Sequence, residues 1–187
     1  KPVLDLANDF LHDGIPQRQL RATVNAASPR AAKTGVAPAG VSYGQLLMRL
    51  LRDANIATKA DVIRVYDHEI LGGTIVKPLT GVQHDGPADA SVIKPTGTAG
   101  TRGIVLSNGL NPDFGKLDAY RMAWSVIDEA IRNAVAVGAD PSRIAILDNF
   151  CWGDPTRPET LGSLLEAARG CHDAAVFYGT PFISGKD

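Results

Sequence analysis

Cysteine is scarce in this chain: only Cys151 and Cys171 occur. Two are too few for a disulfide framework, and they lack the close spacing of a zinc or redox motif, which points to a reducing, cytoplasmic setting. An excess of one charge is missing as well. Nineteen Lys and Arg stand against 20 Asp and Glu, a net charge of -1, so there is no electrostatic case for nucleic acid or an anionic membrane as partner. No apolar run approaches the roughly 20 residues of a membrane helix, and nothing at the start resembles a signal peptide. The four histidines, His12, His68, His84 and His172, share no metal-ligand spacing. Walker A and Rossmann glycine patterns are absent, as is a G-x-S-x-G elbow, and neither cysteine has a histidine partner in sequence. What is present is ordinary for a soluble globular protein: 187 residues, 44% hydrophobic and 21% charged, a length that favours one domain with a real core. The chain starts at Lys1 and stops at S-G-K-D straight after an apolar stretch. We therefore expect a piece of a longer polypeptide, with any active site only partly present.

Residues 26–44 are rich in Ala, Pro, Gly and Ser without helical or strand period, and read as a linker. The apolar segment before it, closed by turn residues, reads as an arm lying on a neighbour. After it, Leu46, Leu47, Leu50 and Leu51 share one helical face. A short helix is predicted from Thr58, where T-K-A-D resembles a capping box with Asp61 returning to the cap. From Thr74 the texture changes to short β-branched runs bounded by Gly, Pro or Asp: T-I-V-K-P, A-S-V-I-K-P, R-G-I-V-L-S-N, R-I-A-I-L-D-N and A-A-V-F-Y-G. Each reads as a strand. Two helices are threaded among them. The longer, residues 118–137, carries an apolar stripe at i, i+3, i+4 spacing that is expected to face a sheet, and Gly138 ends it. The other, residues 158–169, opens on Pro158 and is expected to stop at Gly170. The reading is an α+β fold, a mixed sheet packed on helices. Residues 1–44 form arm and linker, 45–73 a helical linker, and 74–187 the α+β domain.

Three polar stretches carry candidate chemistry. In D-E-A-I-R-N, residues 128–133, Glu129 and Asn133 lie four apart, about 40° around the helix, so their side chains converge. A solvated face is one reading. Asn is a weak helix former for such a place, and a carboxylate with an amide oxygen suits Mg²⁺, which is the other reading. Asp89 opens a strand, where Asp is disfavoured, and a strand-borne carboxylate beside that pair would complete a magnesium site. Asp85, before Gly-Pro, reads as turn chemistry. In S-N-G-L-N-P-D-F-G-K, Asn108 and Lys116 precede a helix N-terminus, which can hold an anion through backbone N–H groups and the helix dipole; a plain surface loop is the alternative. The tail T-P-F-I-S-G-K-D presents Lys186 and Asp187 on a turn after a strand, towards phosphate and metal or simply towards solvent. Phe150 and Trp152 read as core or subunit contacts.

Taken together, residues 107–153, with G-G-T-I-V-K-P, H-D-G-P-A-D-A-S-V-I-K-P and G-C-H-D-A-A-V-F-Y-G-T-P-F-I-S-G-K-D in family order, resemble phosphoribosylformylglycinamidine synthase. The resemblance is dense from Leu46 to the end. It implies the large ATP-dependent synthetase component, which turns formylglycinamide ribonucleotide, glutamine-derived ammonia and ATP into the amidine, ADP and phosphate in de novo purine synthesis. It further implies that this segment is the linker and N-terminal subdomain of the second of two fused halves, resembling aminoimidazole ribonucleotide synthetase. The sheet would join a partner half in a barrel. By position, Asp89, Glu129 and Asn133 would be metal ligands of an auxiliary nucleotide site with Mg²⁺ and ATP or ADP, and Lys186 a phosphate neighbour. The family's catalytic histidine lies in the other half and has no matching segment here, so no catalytic residue is expected. Implied partners are the rest of the synthetase chain and a glutaminase that supplies ammonia; an exposed sheet lacking its partner half should make the isolated chain a homodimer. Two other readings stand beside it: an assembly module without ligand, and another member of the same superfamily such as a selenophosphate or thiamine-phosphate enzyme. The Asp-rich N-terminal motif of those enzymes is not seen here.

Overall fold

The computed structural model describes residues 1–15, 18–24, 39–65 and 68–186. The linker reading at 26–44 lies mostly outside these residues, and the reading of Asp187 entirely so. In chain order the elements are α1 (Asn8–Asp13), α2 (Tyr43–Arg52), α3 (Ala60–Ile63), β1 (Thr74–Val76), β2 (Leu79–Thr80), β3 (Gly86–Pro87), β4 (Ser91–Ile93), β5 (Ile104–Leu106), α4 (Pro112–Gly115), α5 (Ala119–Ala136), a 3-10 turn (Pro141–Arg143), β6 (Ile146–Asn149), α6 (Pro158–Tyr178) and β7 (Phe182–Lys186). The result is a mixed α and β fold, but the expected single sheet is three separate ladders: antiparallel β1-β4-β5, a two-residue β2-β3 pair, and parallel β6-β7. Since α6 connects β6 to β7, residues 146–186 are a β-α-β unit, the connection that parallel neighbours require.

The core lies between α5 and α6 rather than between helix and sheet. Ala119, Ala123, Ile127 and Ala134 on α5 are buried, as are Gly162, Ala167, Gly170 and Ala174 on α6. The stripe on α5 therefore faces α6, correcting the expectation that it faces a sheet. The crossing is tight because its residues are small. A Cβ at Gly170 would collide with the Tyr120 carbonyl oxygen and press on the Ala123 methyl at 2.9 Å. Around it, Trp124 stacks obliquely on Phe177, centroids 5.5 Å apart, and Tyr120 donates to Asp173 at 2.9 Å.

That close approach explains the main error of the sequence reading. Gly170 does not end α6; the helix runs on through it to Tyr178, and Gly179, at φ 67°, is the terminating residue. Thus A-A-V-F-Y-G is helix, not strand, and the strand is the tail F-I-S-G-K. A glycine inside a helix costs about 1 kcal/mol relative to alanine, which the backbone contact with α5 offsets. On α5 the termination reads as expected: Gly138 takes φ 100°, and its N–H donates to the Val135 carbonyl at 2.9 Å. Smaller differences follow local chemistry. Ser42 and Gln45 form a reciprocal capping box that starts α2 inside the stretch read as linker. At α3, Thr58 Oγ1 accepts from the Ala60 N–H at 3.2 Å while Lys59 holds the cap position with no side-chain cap, so Asp61 does not close a box. The segment 18–24 docks on the start of α6, where the Thr23 N–H donates to the Pro158 carbonyl at 2.9 Å and Gly162 leaves room for the Thr23 carbonyl. Trp152 also packs on α6, donating to Ser163 Oγ at 2.9 Å and lying 5.8 Å from the Phe150 ring.

If the crossing sets stability, Gly170→Ala will lower the melting temperature despite alanine's better helix propensity. Overpacking of this kind costs about 1–3 kcal/mol, worth about 2–4 °C per kcal/mol in a chain of this size. A thermal melt by circular dichroism reads it, and a midpoint at or above wild type would place the crossing elsewhere.

Candidate functional site

Helix α5 is started by Asp118, whose carboxylate accepts from the Arg121 N–H at 2.9 Å. One of its faces, running through Val126, Glu129, Ala130 and Asn133, receives the loop 107–110 that leaves β5. Ser107 Oγ donates to the Ala130 carbonyl at 2.8 Å. The Leu110 N–H donates to Glu129 Oε2 at 3.1 Å. Asn133 Nδ2 donates to the Asn108 carbonyl at 3.1 Å. Between these ties lies Gly109, where a Cβ would collide with the Val126 carbonyl oxygen. Glu129 and Asn133 thus both meet the same loop, and the second bond accounts for an asparagine in mid-helix: the amide N–H satisfies a loop carbonyl that has no ladder partner. That carbonyl also fixes the amide orientation, nitrogen towards the loop and oxygen away. Among the described residues no hydrogen bond reaches Glu129 Oε1 or Asn133 Oδ1.

Asp89 does not open a strand as expected: it lies in a bend, two residues before β4 begins at Ser91. In the β4-β5 ladder Ser91 pairs with Leu106 and Ile93 with Ile104, and the loop 107–110 begins where that ladder ends. Asp89 is exposed. A cavity of about 330 Å³ opens on the β1-β4-β5 sheet, its lining including Thr74, Ser91, Ile93, Leu106, Ser107 and Asn108. Among the described residues no cluster of three or more His, Cys, Asp or Glu is placed to hold a metal ion. Any cation here therefore depends on the amide oxygen of Asn133. A carboxylate and an amide, both hard oxygen donors and each with an oxygen left free, are of the ligand type that suits Mg²⁺, which keeps several waters of its own.

The remaining candidates lie apart from this cluster. The loop that was to cradle an anion contains the short helix α4, and its helix starts are occupied by their own side chains: Asn111 Oδ1 accepts from the Phe114 N–H at 3.1 Å, as Asp118 does for α5. Lys116 pairs with Asp113 at 2.7 Å on the surface, which holds that carboxyl below the usual range. Lys186 ends β7, opposite Asn149 in the parallel ladder, so it sits on a strand rather than a turn. Burial, with Asp148 nearby, pushes the Cys171 thiol up to about 11, so it is no nucleophile at neutral pH. Asp128 and Arg132 keep their bland role. Asp128 accepts from Arg132 Nε and from the Tyr178 hydroxyl, each at 2.6 Å, and these two bonds hold its carboxyl below the ordinary range. The same contact raises the Tyr178 hydroxyl. Sequence reasoning missed Ser107 and Gly109, because nothing in S-N-G-L-N says which helix the loop meets.

Residues 87–186 match the family model for the AIR synthase related protein, N-terminal domain. The chain is similar to the phosphoribosylformylglycinamidine synthase subunit PurL of Deinococcus radiodurans, 36% identical over 184 residues, which is 98% of this chain and 22% of that protein. The subunit of the same name is 35% identical over 78% of the chain in Thermococcus sibiricus, and 37% over 75% in Methanocaldococcus jannaschii. These alignments take in 19% and 18% of those two proteins, so the chain spans about a fifth of the length of the relatives it matches.

The Asp128–Tyr178 contact has a pH signature. A lowered carboxyl contributes stability above its ordinary range, near 3.9, and loses it as pH falls through the lowered value. The raised tyrosine contributes below about 10 and loses its part above that. Tyr178→Phe should move the Asp128 carboxyl titration, followed by ¹³C NMR, back towards the ordinary value. At neutral pH it should cost about 0.5–1.5 kcal/mol. An unmoved titration would show that the hydroxyl does not hold Asp128.

Proposed function

The chain belongs to the AIR synthase related protein, N-terminal domain, family, and from that premise we propose that it is a segment of a phosphoribosylformylglycinamidine synthase. That enzyme is the ATP-dependent carbon–nitrogen ligase of purine biosynthesis that uses glutamine-derived ammonia. The observation that carries this reading is the likeness to the synthase subunit along 98% of the chain, arm and linker included. Within the parent the segment supplies no catalytic residue. Its role is to hold an auxiliary nucleotide with magnesium: Asp89, Glu129 and Asn133 take the ion, while Asn108, Lys116 and Lys186 serve the phosphates of ATP or ADP. Mg²⁺ at such a site neutralises phosphate charge and orients the phosphates. Support comes from the free oxygens of Glu129 and Asn133, whose other polar atoms the loop holds.

The rest of the synthetase chain and a cytoplasmic glutaminase complete the proposed assembly. No described helix is long and apolar enough to cross a membrane. The sheets leave large apolar side chains in solvent, among them Ile104 and Leu106 at 53% and 56% exposure, with Leu147 and Ile183 on the other ladder. We assign these faces to the partner half of a barrel, and in the isolated chain to a second copy. A second reading, an assembly module without ligand, draws on the same faces and on the loop contacts that already occupy Glu129 and Asn133.

Three measurements test the proposal. The isolated chain should show no amidine synthesis from ATP and ammonia, yet bind Mg²⁺-ADP by calorimetry, with Glu129→Ala abolishing the heat. Turnover, or binding that survives the substitution, would refute the assignment, and no binding by wild type would favour the assembly module. Light scattering at micromolar concentration should return the mass of a dimer; a clean monomer would remove the proposed pairing.

A further inference from the structure

Building on the magnesium reading above, we infer that the backbone of loop 107–110 is the positioning scaffold of the metal pair, and that Gly109 is the residue that makes it possible. Glu129 is exposed and has three rotatable bonds, so an unrestrained carboxylate loses rotamer entropy when a cation captures it. Here the loss is already incurred. The Leu110 N–H engages Oε2 and leaves Oε1; the Asn108 carbonyl engages Nδ2 and leaves Oδ1. Outer contacts of this kind set both the direction and the basicity of a metal ligand. The loop reaches this position only because residue 109 has no Cβ to meet the Val126 carbonyl, and Ser107 fastens it to the next turn of the helix.

The rival account is that these bonds merely attach the sheet to α5 and any oxygen donors would serve. Asn133→Asp separates the two. It retains a hard oxygen and adds negative charge, which by ligand chemistry alone tightens a divalent cation. It also removes the N–H that the Asn108 carbonyl accepts and sets a carboxylate oxygen against that carbonyl, so the scaffold account requires weaker binding. The probe is Mn²⁺ with saturating ADP, followed by the EPR signal of free Mn²⁺ on the full 187-residue chain. We expect roughly ten- to a hundredfold weaker Mn²⁺ binding in Asn133→Asp and in Gly109→Ala, and a smaller loss in Ser107→Ala. Hydrogen exchange at the Leu110 amide should quicken in all three. Should Gly109→Ala fail to fold, Asn133→Asp and Ser107→Ala decide. Equal or tighter binding by Asn133→Asp overturns the scaffold while leaving the metal site in place. Wild-type protein that takes up no Mn²⁺ overturns both, and does so through the metal reading.

Discussion

The close approach of α5 and α6 is the constraint on which the rest depends. Two helices can meet at backbone distance only where neither carries bulk, and here Ala123, Ala167, Gly170 and Ala174 supply that surface. Dispersion between well-packed atoms falls off steeply with separation, so this seam of small residues replaces the large-side-chain core that the chain otherwise lacks. Among the described residues Thr180 is the largest side chain that is fully buried. The crossing fixes the direction of α5, and through it the face that carries Val126, Glu129, Ala130 and Asn133.

On that face a single segment of backbone does two jobs. Loop 107–110 satisfies its own polar groups against the helix, as a chain leaving a ladder must, and in doing so it orients two side chains with oxygens to spare. Fold and candidate chemistry are therefore coupled at the same atoms. Lys116, just past α4, and Lys186, at the end of β7, take no part in these bonds: the first pairs with Asp113 and the second ends the parallel ladder.

The exposed apolar residues of the ladders belong to the same picture. Short strands with Ile and Leu on an open face are costly in water, and three ladders of two or three strands do not cover one another. A chain that spans about a fifth of its relatives leaves ample sequence in those proteins to provide the cover.

What the sequence determined by itself is what local chemistry decides. The period of α5, its glycine stop and four of the strands all follow from spacing or from backbone preference, and each is present. The resemblance in the motifs likewise anticipated the family. Tertiary structure alone decided which of two glycines ended α6. Gly170 and Gly179 look alike in sequence, but one faces a neighbouring carbonyl and the other takes a positive φ. It also decided that the α5 stripe meets a helix and that Gly109 opens onto Val126. Glycine marks either conformational freedom or the absence of a side chain, and only the neighbour across the gap tells which is being used.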